Sequence, residues 1–158
     1  MKKSILFILS LLIGTGTGML IMGKKMTKII CKEQKSAEKF FPMYQTMERW
    51  VRMKQKNQCI SEYFQRNGYK RIAVYGMGDI GILFVNELKN SDIDIMYGID
   101  RNINVGGPVK IYHPDDTLPN VDAVVVTAVA FFDDIEDMLR KKMDCPVLSI
   151  EDIVFDLA

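Results

Sequence analysis

Apolar and polar residues divide this chain into three stretches with different periods. Residues 4–23 carry no charge and are mostly Ile, Leu, Met and Phe. As a helix, such a run is about 30 Å long, matching the hydrocarbon core of a bilayer. Between residues 24 and 65 the apolar positions keep helical spacing, most clearly at Phe40, Tyr44, Met47 and Val51, with Trp50 beside them. Pro42 is placed to open a helix at its first turn. Ile60, Tyr63 and Phe64 mark a short helix expected to end near Gly68, a residue suited to a left-handed cap, and to pack on a sheet edge. Beyond it, short β-type runs alternate with helical ones. Residues 72–75, 93–99, 109–112, 121–127 and 146–150 read as strands. The pattern at Leu83, Phe84, Val85 and Leu88 reads as helical, as do residues 131–142 and 151–157. The run at 121–127 is rich in valine, as expected of a strand buried on both faces. Strands alternating with helices imply a parallel sheet joined by right-handed crossovers.

The corner between the first strand and its helix holds Gly76, Met77, Gly78, Asp79, Ile80 and Gly81, a G-x-G-x-x-G loop. In a dinucleotide-binding βαβ unit the first glycine permits the tight turn and the second lets a pyrophosphate approach the backbone. The third lets helix and strand pack closely. The helix start then offers unpaired N–H groups and a positive dipole end to an anion. Asp100 ends the second strand, 22 residues beyond Gly78, where an acid in this fold hydrogen-bonds ribose hydroxyls. Arg101 supplies a cation there, and Thr127 leads the segment to Ala130 at the same sheet edge. The expected architecture is α/β, a Rossmann-like parallel sheet of about five strands. A transmembrane helix and amphipathic helices precede it. The expected divisions are an anchor at 1–23, a basic juxtamembrane region at 24–68 and the sheet domain at 69–158. These loop and strand-end positions are the expected cofactor-binding site; the cofactor itself is not identified by the sequence, the candidates being nucleotide-type ligands: NAD(P), a nucleotide sugar or CoA.

One feature opposes a phosphate. Asp79 stands in the first helical turn, where an acid interacts well with the dipole but repels a phosphate unless it points away. A structural Rossmann-like domain that binds no ligand and serves protein interaction is therefore the alternative reading.

Charge sorts the partners. Residues 24–71 hold thirteen Lys or Arg against four Glu, whereas residues 72–158 hold six against sixteen Asp or Glu. The basic neck is drawn to anionic headgroups, at about 1 kcal/mol per basic residue near the surface. The acidic domain is repelled by them and by nucleic acid, which is excluded as a partner. Positive charge is heavier after the apolar run than before it, which puts the C-terminal side in the cytoplasm of a single-pass protein of the cell membrane. A cleaved signal peptide is the rival, with Lys2 and Lys3 as its basic start. Against it, the run is long for such a segment and no A-x-A-like site follows. Ser10, Gly14 and Gly18 recur every four residues, a small-residue stripe suited to homo-oligomers. The helix carrying Trp50 has two readings: it lies on the inner leaflet, or it packs its Trp face on the globular domain or a second copy.

Catalytic chemistry is not evident. Cys31, Cys59 and Cys145 are odd in number and widely spaced, and His113 is the sole histidine, so neither a disulfide framework nor structural zinc is expected. Tyr75 and Tyr97 lack a lysine four residues on. The doublets Asp115, Asp116 and Asp133, Asp134 suit capping positions, His113 precedes Pro114 in a loop, and Cys145 has no activating partner in view.

Four segments together resemble one recurrent module: residues 76–81, Tyr-Gly-Ile-Asp-Arg-Asn at 97–102, Gly-Gly-Pro-Val-Lys-Ile-Tyr at 106–112, and Val-Asp-Ala-Val-Val-Val-Thr at 121–127. The module is similar to the Rossmann-like, nucleotide- or CoA-binding-type domain of bacterial surface-polysaccharide biosynthesis proteins. Membrane-anchored nucleotide-sugar dehydratases and sugar acyltransferases are among them. The resemblance spans residues 69–155 and implies that Gly76, Gly78, Gly81 and Asp100 contact a nucleotide or nucleotide sugar. The catalytic domain that follows in those enzymes has no counterpart here. The expected role is accordingly a non-catalytic accessory that works with membrane proteins of glycan synthesis; a small NAD(P)-linked oxidoreductase is the least favoured reading.

Overall fold

The computed structural model describes residues 26, 27, 30–32, 34, 37 and 40–158. The chain forms two units, Met1–Phe40 and Phe41–Ala158. In the first, the described positions are helical, with Met26 and Ile30 exposed. The expected anchor at 1–23, with Ser10, Gly14 and Gly18, lies outside the described residues. Among the described residues no helix is long and apolar enough to cross a membrane.

The second unit begins with helix α1, residues 41–55. Then come α2 (Ser61–Asn67), β1 (Arg71–Tyr75), α3 (Asp79–Leu88), β2 (Asp94–Ile99), β3 (Ile111–Tyr112) and β4 (Ala123–Val126). A 3₁₀ turn at Val129–Phe131 leads into α4 (Phe132–Leu139), followed by β5 (Val147–Ser149) and α5 (Ile150–Leu157). The five strands form one sheet in the order β3-β2-β1-β4-β5, every pair parallel. This is an α/β fold with an all-parallel sheet, and its strand order is consistent with a Rossmann-like arrangement. The chain moves outward from β1 through β2 to β3, returns to β4, and moves the other way to β5. Right-handed crossovers running in opposite directions put their helices on opposite faces. Accordingly Phe84, Val85 and Leu88 of α3 pack with Ile72, Val74, Ala123 and Val125. Ile135 and Leu139 of α4 pack with Ala73, Tyr75, Val124 and Val126 on the other face. Cover on both sides explains why all four residues of β4 are buried.

One irregularity redirects β2. Ile72 pairs with Ile95 and Ala73 with Tyr97, so Met96 has no partner on β1. An extra residue of this kind breaks strict alternation. Ile95 then packs on the α3 side, while Tyr97 and Ile99 turn to the α4 side.

The helices before the sheet belong to its core. Trp50 and Met53 of α1 and Phe64 of α2 join Ile153 and Val154 of α5 over the α3-side face. Trp50 and Phe64 meet Phe84 edge-on, with ring centroids 6.5 Å and 6.1 Å away. Of the two readings of the Trp helix, packing on the globular domain is the one found. The compact unit thus takes in much of the region set apart in sequence as juxtamembrane. α2 packs on helices rather than on the sheet edge expected, with Phe64 against Phe84 of α3 and further contacts to α5. Its end at Gly68, φ +73°, is the left-handed cap expected.

The entry to β1 is held by one carboxylate. Asp122 Oδ2 accepts from the backbone N–H of Lys70 at 2.9 Å and of Arg71 at 2.8 Å. The Arg71 bond, then that from Lys70, holds the Asp122 carboxyl below the usual carboxylate range.

Two outcomes follow from this packing. Trp50→Ala should cost about 3–5 kcal/mol in urea unfolding, while Ile103→Ala, at an exposed position, should stay within about 0.5 kcal/mol. Because Asp122 binds its proton more weakly folded than unfolded, its contribution is full above the ordinary carboxylate value and fades as pH falls through the lower folded one. The stability gap between wild type and Asp122→Asn should therefore be widest at neutral pH and close in strong acid, read from urea midpoints along a pH series.

Candidate functional site

β1 ends at Tyr75, and Gly76 turns the chain with φ +92°, a conformation that side chains with a Cβ rarely adopt. The three loop glycines differ in what surrounds them. A Cβ at Gly81 would lie 2.1 Å from the Gly76 carbonyl oxygen, so α3 can start this close to the strand end only without a side chain there. A Cβ at Gly78 would meet nothing within 4 Å. The first and third glycines are required by the protein's own packing, and the second faces open space. Within α3 the first amide to find a helical partner is that of Ile82, which donates to the Gly78 carbonyl at 2.9 Å. The amides of Asp79, Ile80 and Gly81 therefore lack partners inside the helix, and no side chain caps its start.

The strand ends clamp this loop. Asp100 Oδ2 accepts from the Met77 N–H at 2.8 Å, and Oδ1 accepts from the Asn102 N–H at 2.9 Å. Thr127, 6% exposed, holds its hydroxyl 3.1 Å from the Tyr75 carbonyl and 2.5 Å from that of Gly76, to which it donates. Both residues position the loop before any ligand arrives. Each Asp100 oxygen has lone pairs left beyond these two bonds.

A cavity of about 310 Å³ opens at the ends of β1 and β4, lined by Tyr75, Gly76, Asp100 and Arg101 on one side and by Ala128, Phe131, Asp134, Ile135 and Met138 on the other. That volume is at the lower end of small-molecule sites, about 300–1,000 Å³. Its acidic and basic side chains are the carboxylates of Asp100 and Asp134 and the guanidinium of Arg101, beside the phenol of Tyr75.

Of the expected residues, Gly76, Asp100 and Arg101 line this cavity. Gly78 and Asp79 lie exposed at the helix start, and Ile80 is half-buried against the α3-side core. Met77 departs from expectation. Its side chain is fully buried, seated over Gly98, where a Cβ would come 2.7 Å from Met77 Cγ. That side chain is unavailable to a ligand, because the parallel strands leave an apolar slot which only a long flexible side chain fills. Thr127 is buried beneath the loop and acts as a brace.

Sequence reading missed the far wall. Phe131, Asp134, Ile135 and Met138 recur at three- and four-residue steps, so they share one side of the 3₁₀ turn and α4. The capping role expected of Asp134 is not found, since α4 has no side-chain cap.

The remaining candidate groups are engaged elsewhere. Asp116 Oδ2 accepts from the His113 N–H at 2.8 Å and closes a turn. Burial raises the Cys145 thiol above its ordinary pKa, and Asp144 and Asp122 raise it further. A thiol so placed is a poor nucleophile at neutral pH. Among the described residues, no cluster of three His, Cys, Asp or Glu side chains is placed to hold a metal ion.

Over 54 residues the chain is 37% identical to a glutamyl-tRNA reductase of Caldicellulosiruptor saccharolyticus. The matched stretch covers 34% of this chain and 14% of the reductase. No family model and no solved structure matches the chain.

The glycine geometry makes a paired prediction. Gly81→Ala should destabilise by about 3 kcal/mol, the upper end for overpacking, while Gly78→Ala should stay within about 1 kcal/mol. Chemical denaturation of both variants beside wild type measures the difference.

Proposed function

We propose that this chain is a membrane-anchored cytosolic module that binds a nucleotide-type ligand and acts as a non-catalytic accessory in cell-surface polysaccharide synthesis. The observation that carries the ligand part is the coincidence of three things at one sheet edge. These are a cavity of about 310 Å³, a second glycine facing open space, and helix-start amides without helical partners. In this reading the cavity beside Asp100 and Phe131 receives the base and ribose, and the amides of Asp79 to Gly81 receive a phosphate. The uncharged run at 4–23 and the basic residues after it support the membrane part. The four segments that resemble polysaccharide-biosynthesis domains support the pathway.

Partial likeness to a reductase favours a redox dinucleotide among the ligand classes, because a reduction needs an electron donor. The ligand-free interaction module draws support from Asp100, whose two oxygens already serve backbone amides, and from the carboxylates facing the cavity.

The decisive measurement is thermal unfolding of the full chain in lipid nanodiscs with NAD, NADP, CoA or a UDP-sugar. A true ligand at a hundred times its dissociation constant should add about 2.7 kcal/mol. Gly78→Val should leave the unliganded melting point close to wild type and erase the ligand's shift. If none of the four moves the wild-type midpoint, or if Gly78→Val keeps the shift, the nucleotide reading fails and the interaction module stands.

A further inference from the structure

α1 has two apolar faces, and its own domain covers only one. Thr46, Trp50 and Met53 are buried. Tyr44 and Val51 are 66% and 51% exposed, and Leu83 of α3 beside them is 47% exposed. With half-buried Met47 they line two adjoining grooves, of about 410 Å³ and 540 Å³.

The spacing of these residues points to what covers them. Tyr44, Met47 and Val51 stand four and three apart alternately, and in sequence the same steps run back through Phe40, Ala37, Ile30 and Met26, interrupted by Glu33. This is a seven-residue repeat with Ile30, Ala37, Tyr44 and Val51 at a, and Met26, Phe40 and Met47 at d. In that register each of the eight Lys and Arg residues between 24 and 52 falls at b, c or f, outside the seam. An amphipathic helix serving only its own domain has no reason to confine charge this way. Lys54, which continues the seam at d, is neutralised by Glu87 at 2.7 Å, and Glu48 at e pairs with Arg52. Between residues 40 and 55 the face carries no unpaired charge where a like helix would meet it.

We propose that this face of α1 pairs with the same face of a second copy of the chain, as a two-stranded coiled coil closed around Tyr44, Met47 and Val51. A lipid surface suits the face less well. The cations lining the grooves, Arg52 and Lys54, are already paired with Glu48 and Glu87, and Arg49 is engaged over the ring of Phe155, 3.5 Å from its centroid. The inference is independent of the nucleotide reading, since the face shares no residue with the cavity at the strand ends.

The test uses the full chain in nanodiscs with Cys31, Cys59 and Cys145 replaced by alanine. Single cysteines introduced by Met47→Cys or Val51→Cys should be joined into dimers by a short bis-maleimide at least tenfold faster than those from Gln45→Cys or Arg52→Cys. Adding Tyr44→Glu to Met47→Cys should lower its cross-linking at least tenfold, with the circular dichroism of the folded domain unchanged because Tyr44 is mostly exposed in a single copy. Equal rates at all four positions, or no dimer at any, would overturn the proposal. So would a monomeric chain that floats with phosphatidylglycerol vesicles and loses them through Val51→Glu.

Discussion

The structure rests on the contact between the start of α3 and the carbonyl of Gly76. Removing a single Cβ at position 81 lets the helix begin directly above the strand end. That closeness fixes the height of α3 over β1, and Phe84, Val85 and Leu88 then land on Ile72 and Val74. Phe84 in turn becomes the ring on which Trp50 and Phe64 settle. The α3-side core is thus built outward from one backbone-to-backbone approach. The helices that lead into the sheet are fastened by its consequence.

The same corner sets up an electrostatic contest. Unpaired amides and the helix dipole attract an anion, while Asp79, Asp100 and Asp134 surround the approach with negative charge. Arg101 is the cation on the cavity wall. Backbone groups hold their direction without being ordered by the guest, whereas exposed carboxylates are screened by salt. A phosphate that reaches the amides directly gains from the first and is little troubled by the second.

Much of this was readable from residue order, and the reasons are physical. The two-sided cover of β4 wrote itself as a valine run, and the corner wrote itself as three glycines with an acid at the next strand end. Gly68 announced the end of α2. What was not readable arose from pairing between distant segments. Met96 looks like any strand residue until its neighbour on β1 is known to be missing. Met77 looks like a loop residue, because only Gly98 on another strand reveals the slot it fills. Asp134 and Phe131 looked like the opening of a helix, since the cavity they face is made by residues thirty or more positions earlier.

β1 is gripped at both ends by side chains of its neighbours. Asp122 takes the entering amides, Thr127 braces the departing carbonyls, and Asp100 takes the first amide beyond the turn. A strand held in this way cannot slide along its own axis. The β1 wall of the mouth above it is therefore set by the protein's own side chains. The opposite wall, on the 3₁₀ turn and α4, has no such clasp among these bonds. Any adjustment of the mouth would fall to that second wall.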